Sequence, residues 1–269
     1  MTSYRIGVAG CRGRMGRMIA QAVAEHPEVA LAGGTEQAGS EAVGADLGEL
    51  LGMGRLNAPI TDDPPTLFAN ADAVIDFTLP ELTARHAGLA AQAETVLVIG
   101  TTGLDAEQQA AIERAARHTR IVQAPNMSLG VNLLLDLVKQ VAQALDPAFD
   151  IEITEMHHRH KKDAPSGTAL ALGRAAAAGR GVDLDDVADR GRDGLTGPRR
   201  EGDIGFAALR GGEVAGEHTV CFAGANERIE LTHKADSRGI FAQGAITAAQ
   251  WARRQDPGLY AMKDVLGLG

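Results

Sequence analysis

Three histidines, one arginine and two lysines occupy the six positions from His157 to Lys162. They lie in the run Glu155-Met156-His157-His158-Arg159-His160-Lys161-Lys162-Asp163-Ala164-Pro165-Ser166-Gly167-Thr168. An imidazole gives or takes a proton near neutrality. An ammonium offers a point positive charge to a carboxylate, or to negative charge that develops during a reaction. The favoured reading is therefore an anion pocket with a general acid. The end of the run strengthens it. Ser166 is the expected N-cap of a helix, Gly167 lets a ligand approach the backbone, Thr168 adds a hydroxyl, and the amides of a helix start suit a carboxylate. Two plainer readings stay open. One is a metal held by His157, His158 and His160, although a structural zinc wants four ligands and the neighbouring cations oppose a divalent ion; no metal is expected. The other is a basic surface loop.

A second chemical signal stands at the start of the chain. Gly10-Cys11-Arg12-Gly13-Arg14-Met15-Gly16 follows an apolar run and precedes a helical pattern. Its G-x-x-G-x-x-G spacing is a variant of the dinucleotide fingerprint. Glycine allows the tight turn and the close approach of backbone to pyrophosphate, and the helix start that follows favours an anion. Glu36 lies about 20 residues beyond Gly16, where the fingerprint expects an acid for the ribose hydroxyls. Its charge opposes a 2′-phosphate and favours NAD over NADP. Gln37 follows it rather than an arginine, although Arg12 and Arg14 could reach such a phosphate. A simple glycine-rich turn and a solvated Glu36 are the bland alternatives.

These residues need elements to hold them. Tyr4 to Ala9 reads as a strand, and Met15, Met18, Ile19, Ala22 and Val23 recur at helical spacing up to Pro27. Val29 to Gly34, Ala73 to Phe77, Thr95 to Ile99 and Arg120 to Val122 are further short apolar runs. Helix-prone stretches, Pro80 to Ala93 and Asp105 to His118, lie between them. Such alternation predicts a parallel, Rossmann-type sheet with crossover helices. After about Met127 the style changes. Helices are expected over Val131 to Leu145 and Ser166 to Ala178, and strands over Ile151 to Met156, Ile204 to Arg210, Glu217 to Ala223 and Arg228 to His233. Phe206, Ala208, Val220, Phe222, Ile229 and Leu231 recur at period two, so one face of each strand should be buried. Arg180 to Gly202 should be an exposed, mobile loop. A last helix is expected from Ile240 to Arg254, with a tail after it. The fold class is α/β: an N-terminal Rossmann-type parallel sheet plus a C-terminal α+β domain with a mixed sheet.

Composition narrows the partners. The chain has 269 residues, 45% hydrophobic and 23% charged, which suits a globular protein of one large or two modest domains. With only 3% aromatics its core must be aliphatic. A net charge of −9 argues against nucleic acid or anionic membrane as a general partner. Two cysteines, Cys11 and Cys221, form no paired or metal-like spacing and suggest a reducing compartment. Met1 to Gly10 has no basic stretch leading into a long apolar run, and no segment has the length of a membrane span, so a cytoplasmic protein is expected.

At these residues the chain resembles the 4-hydroxy-tetrahydrodipicolinate reductase family, also called dihydrodipicolinate reductase, of the diaminopimelate and lysine pathway. The resemblance covers essentially the whole chain. It is carried by Val8 to Gly16 (VAGCRGRMG), Val74 to Thr78 (VIDFT), Gly100 to Gly103 (GTTG), Ala124 to Asn132 (APNMSLGVN), Glu155 to Leu170 (EMHHRHKKDAPSGTAL), Ile204 to Gly212 with Gly216 to Thr219 (GEHT), and Ile229 to Arg238 (IELTHKADSR). It implies a dinucleotide-binding domain over 1–127, completed by 237–269, and a substrate-binding and oligomerisation domain over 128–236, assembled as a homotetramer. It implies reduction of 4-hydroxy-tetrahydrodipicolinate, a small dicarboxylate, with NADH or NADPH. Gly10, Cys11, Arg12, Gly13, Arg14 and Met15 would hold the pyrophosphate and Glu36 the ribose. Gly100, Thr101, Thr102, Ala124, Pro125, Asn126 and Met127 would lie by the nicotinamide. His157 would donate or accept a proton, Lys161 would donate a second, and His158, Gly167 and Thr168 would bind substrate. The family often has Arg where Gln37 stands, so NADH should serve at least as well as NADPH. It often has Phe where Met127 stands. Two other readings remain. A semialdehyde dehydrogenase needs a cysteine nucleophile, and neither cysteine is well placed. A non-catalytic nicotinamide-binding redox sensor would not need the His/Lys run.

Overall fold

The computed structural model of the protein describes residues 4–268. These fall into two compact units, residues 4–128 with 239–268, and residues 129–238. In the first unit the chain runs β1 (Tyr4–Ala9), α1 (Arg14–Glu25), β2 (Val29–Thr35), α2 (Leu47–Leu50), β3 (Ile60–Thr61), α3 (Pro64–Asn70), β4 (Ala73–Asp76), α4 (Pro80–Ala93), β5 (Val96–Ile99), α5 (Ala106–Ala115) and β6 (Arg120–Gln123). The second unit holds α6 (Leu129–Ala144), β7 (Asp150–His157), α7 (Gly167–Arg180), α8 (Leu184–Val187), β8 (Ala188–Asp189), β9 (Ile204–Arg210), β10 (Gly216–Ala223) and β11 (Arg228–Ala235). The chain then returns to the first unit as α9 (Gly239–Ala252), β12 (Gly258–Tyr260) and α10 (Met262–Val265).

The first unit is a seven-stranded sheet in the order β12-β6-β5-β4-β1-β2-β3, with every pair parallel. Strands covered by helices on both faces must be apolar throughout, and β4 and β5 are buried at every position. From β1 the sheet is built first to one side and then to the other. The ends of β1 and β4 therefore flank the switch point where such sheets bind ligands. Local chemistry fixes the helix starts. Pro80 opens α4, and Asp105 and Gln108 form a capping box on α5.

In the second unit a five-stranded sheet has the order β11-β10-β7-β9-β8. β11, β10 and β7 pair antiparallel, and β7, β9 and β8 pair parallel. One face carries Ile151, Ile153, Val220, Phe222, Ile204 and Phe206, which pack with Leu134 and Val138 of α6 and Leu172 and Ala176 of α7. No helix of the described residues is long and apolar enough to cross a membrane.

Three local expectations need correction. Period two does not bury the whole inner face. Ala208 is exposed and Ile229 is 37% exposed: β11 is an edge strand, and the burial of β9 ends at Phe206. The segment from Arg180 to Gly202 is not all loop, since it carries α8 and β8. Its exposed part is tied down by Arg192, bonded to Glu152 and Asp189, and by Arg199, bonded to Asp150 and Glu152. The tail after the last helix supplies β12, the seventh strand of the first sheet. Beyond these, α2, β3 and α3 lie in the stretch between β2 and β4, for which the apolar pattern set no expectation.

Candidate active site

The glycine loop of the first unit forms an anion cradle. Gly10 turns with φ +66°, a conformation that disfavours a side chain, and its carbonyl accepts the Gly13 amide at 3.0 Å. A side chain at Gly16 would meet the Gly10 carbonyl and lie 2.9 Å from Cys11 Cα, so only glycine lets α1 sit this close to the end of β1. α1 begins at Arg14, and its N-cap, Gly13, has no side chain to satisfy the first amides. Those amides suit a phosphate. Cys11 contributes backbone only. Its side chain is buried against Gly34, and burial, helped by Glu36, pushes its thiol up to about 12.

A cleft of ≈ 440 Å³ runs from this loop along the switch point, a volume in the range of ligand pockets. Gly10, Gly13, Glu36 and Gln37 line one side, and Phe77, Thr78 and His86 the other. Glu36 is half-buried and its amide is fixed on the Thr61 carbonyl at 3.0 Å. Arg12 reaches the same loop and donates to Ser40 Oγ at 3.1 Å. The wall opposite is set by the buried Asp76. Its carboxylate accepts from the Thr78 amide and hydroxyl at 2.8 and 2.6 Å and meets His86 Nδ1 at 2.8 Å. Burial works to raise that carboxyl, but the donors outweigh it and hold it below the ordinary range.

At the end of β5 the Phe77 ring lies against Gly100, and the Thr83 hydroxyl donates to Thr101 at 2.8 Å. Thr101 is thereby buried while Thr102 is exposed. After β6, Ala124 is buried and Pro125 exposed. Asn126 accepts the Ser128 amide at 2.8 Å, and Met127 is buried with its carbonyl against Gly244. An uncapped helix start, a glycine cradle and an acid at the end of the second strand on one cleft fit the pyrophosphate and ribose of a dinucleotide.

In the second unit the centre is Glu155, 1% exposed. Its Oε2 lies 2.5 Å from His157 Nδ1 and accepts from Arg210 at 2.8 Å; its Oε1 accepts from Arg210 at 2.9 Å and from the Ser166 amide at 3.0 Å. Strand alternation puts Glu155 and His157 on one face of β7, and the parallel pairing sets Arg210 opposite His157. Burial works to raise the Glu155 carboxyl, but Arg210, His157 and Ser166 hold it below its usual range. Burial depresses the His157 imidazole more than Glu155 lifts it, and Lys161 and Arg210 add to the depression. His157 is therefore neutral at pH 7, and with Nδ1 turned to Glu155 its Nε2 is the nitrogen left to accept. Gly216 leaves that atom room, since a side chain there would stand 3.0 Å from Nε2.

The remaining cations surround this core. Lys161 pairs with Asp163 at 2.9 Å, which holds the Asp163 carboxyl down. His158 Nε2 meets Arg238 at 3.2 Å and its amide donates to the Val214 carbonyl, while His160 is exposed. Ser166 caps α7 by accepting the Ala169 amide at 3.1 Å, and its hydroxyl meets His218 Nε2 at 3.0 Å. Gly167 is exposed at the helix start with open space around it. Among the described residues no three His, Cys, Asp or Glu side chains gather as metal ligands.

Sequence reasoning gave no role to Glu155, Arg210, His218, Asp76 or His86. Only the Glu155–His157 pair carried a local signal, the two-residue spacing of a strand.

Comparison with known proteins decides the family. Residues 4–127 match the family model described as dihydrodipicolinate reductase, N-terminus, and residues 130–266 match that described as dihydrodipicolinate reductase, C-terminus. The chain belongs to the dihydrodipicolinate reductase family. A 4-hydroxy-tetrahydrodipicolinate reductase of Ruegeria pomeroyi is 58% identical over 263 residues, covering 98% of each chain. One from Beijerinckia indica is 55% identical over 269 residues, 100% of this chain and 99% of that one. The dipicolinate-bound dihydrodipicolinate reductase from Paenisporosarcina sp. TG-14 has the same fold, with a TM-score of 0.79 at 24% identity over 97% of this chain and 98% of that one. Membership in the dihydrodipicolinate reductase family agrees with the cysteines. Cys11 is buried against Gly34 and Cys221 lies within β10, paired opposite Glu152 and Glu230, so neither stands where a semialdehyde dehydrogenase would need its nucleophile.

Proposed function

We propose that the protein reduces 4-hydroxy-tetrahydrodipicolinate to tetrahydrodipicolinate, consuming one reduced nicotinamide dinucleotide and one proton and releasing water, in diaminopimelate and lysine biosynthesis. The observation that carries this reading is the buried His157, fixed through Nδ1 on Glu155, whose other oxygen takes the Ser166 amide at the start of α7, with Lys161 on the loop that follows β7. The likeness of the whole chain to reductases of that name supports it. Loss of the hydroxyl as water needs a base for a carbon-bound proton and an acid for the leaving oxygen, and the reduced ring then takes a proton. His157 Nε2 accepts and returns the carbon proton. Lys161, as an ammonium, gives its proton to the leaving oxygen; recharged by the one proton the reaction consumes, it then stabilises negative charge moving toward the ring nitrogen. His158, Gly167 and Thr168 hold the substrate carboxylates.

The nicotinamide group supplies hydride when bound. Gly10 to Met15 receive the pyrophosphate, with Cys11 acting through its backbone, and Glu36 receives the adenosine ribose. Gly100, Thr101, Thr102 and Ala124 to Asn126 line the nicotinamide end, with Met127 supporting them from the core. The first unit is thus the dinucleotide-binding domain, and the second the substrate-binding and oligomerisation domain. The homotetramer forms through the face of the second sheet that α6 and α7 leave uncovered, where Thr154 is exposed and Leu209 is 51% exposed. Two free cysteines suit the cytoplasm.

The test is a coupled assay in which substrate forms in situ from pyruvate and aspartate semialdehyde. NADH and NADPH should both be consumed, NADH at least as well. Tight dinucleotide binding without consumption of either would favour the redox sensor instead.

A further inference from the structure

We infer that Glu155, locked by Arg210, is the positioning residue that decides which nitrogen of His157 carries the proton and how readily the other accepts one. This rests on the reading of His157 as the group that moves the substrate's proton. An ionised carboxylate is acceptor-only, with about four lone-pair sites. Those of Glu155 take the four contacts described above, two from Arg210 and one each from His157 and Ser166. The carboxylate has no site left for another partner and cannot pivot. An acceptor-only partner 2.5 Å from Nδ1 obliges that nitrogen to bear the hydrogen, which leaves the lone pair on Nε2.

Arg210 does more than neutralise Glu155. Its Nη2 also donates to the Asp163 carbonyl at 2.6 Å, and Asp163 holds Lys161. One guanidinium thus fixes the carboxylate behind His157 and anchors the loop that carries the second proposed proton donor.

The charged and titratable groups facing His157 come from four places. Glu155 lies on its own strand, Arg210 on β9 and Lys161 on the following loop, while His218 of β10 stands ring to ring at 5.1 Å. Of these only Glu155 draws a proton onto His157, and Arg210 weakens that pull.

Opposite effects follow from the two partners. In Glu155→Gln the attraction is gone, so the titration of His157, followed by nitrogen-15 NMR of its ring, should move down by about one pH unit. The Nδ1–H tautomer should lose its dominance, and kcat should fall about 10- to 100-fold with KM for NADH unchanged. In Arg210→Gln the carboxylate acts unopposed, and the same titration should move up. The limb of the kcat profile that His157 governs should follow in each case. A role confined to packing would lower the thermal midpoint of both variants and leave the titration in place. Shifts of the same sign, or none, would overturn the inference. Should Gln at 155 prevent folding, Arg210→Gln decides alone, and an unchanged or lowered titration sinks the idea. The NMR measurement needs no turnover. A wild-type protein that consumes no dinucleotide but shows the opposed shifts would end the activity reading and leave this one standing.

Discussion

On the proposed function, single side chains set which dinucleotide the cleft should prefer. Glu36 and the exposed Gln37 line the cleft side by side; with Glu36 at the adenosine ribose, its charge should disfavour a 2′-phosphate, and Gln37 would give that phosphate no cation. Arg12, bonded to Ser40, already places one guanidinium at the edge of the same loop. Gln37→Arg adds a second, and a hydrogen bond to a charged group is worth about 1.5–3 kcal/mol. The variant should therefore bind NADPH about 10-fold more tightly or better, with NADH little changed. Steady-state KM values for both cofactors would show it, and an equal gain for NADH would mean that residue 37 does not lie by the 2′ position. The same scale shows what a sequence can disclose of a site. His157, Lys161 and Ser166 are legible because they are crowded into one short run. Arg210 and His218 are not, since they reach Glu155 and Ser166 across 55 and 52 positions. Only the register of β7 with β9 and β10 brings them in. Asp76 and His86 are hidden for a related reason: one ends a strand and the other lies inside a helix, and neither pattern marks the pair.

Elements were legible where an apolar period was long or a cap was explicit. β1, α1 and β2 follow from short apolar runs and a glycine turn, and α4 and α5 from Pro80 and Asp105 at their starts. β3 and β12 are two and three residues long, too short for alternation to register. β12 joins the sheet because the parallel edge of β6 is there to receive it, which is tertiary information. Alternation in β9 and β11 overstates burial because it reports which face a residue occupies, not whether a helix covers that face. The packing of α1 on β1 gives this scale its prediction. A methyl at position 16 meets the Gly10 carbonyl and stands 2.9 Å from Cys11 Cα, both backbone groups that cannot rotate away. In Gly16→Ala the helix must shift, at a cost of about 1–3 kcal/mol, and its first amides leave their position over the glycine loop. The thermal midpoint should fall, and affinity for NADH, read by fluorescence titration, should fall with it. Unchanged affinity in a destabilised variant would separate the helix start from cofactor binding.

At the scale of the whole molecule, the buried histidines of the second unit link folding to pH. His218 is 4% exposed. Burial first, then the neighbouring His157, lowers its pKa from 6.5 to about 4. Above pH 6.5 His218 is neutral whether the chain is folded or not, and it contributes nothing to the pH dependence. As pH falls further, the unfolded chain takes up a proton that the folded chain refuses, so stability drops until the folded-state value near 4 is reached. Each pH unit in that interval costs about 1.4 kcal/mol, on the order of 3 kcal/mol in all. His157 and His233, also depressed by burial, add in the same direction. The carboxylates act elsewhere. Asp76 and Glu155 are held below their ordinary values of 3.8 and 4.5, so their contribution is present above those values and is lost only in stronger acid. Thermal midpoints taken from pH 7 down to pH 4, at one protein concentration, should therefore decline well before the carboxylates titrate. His218→Gln keeps a polar side chain facing the Ser166 hydroxyl but has no proton to refuse. Its midpoint should decline less steeply between pH 6.5 and 4 and then rejoin the wild-type slope in stronger acid. A variant that loses midpoint as fast as the wild type across that interval would place the acid sensitivity outside His218, and would leave its burial without thermodynamic consequence.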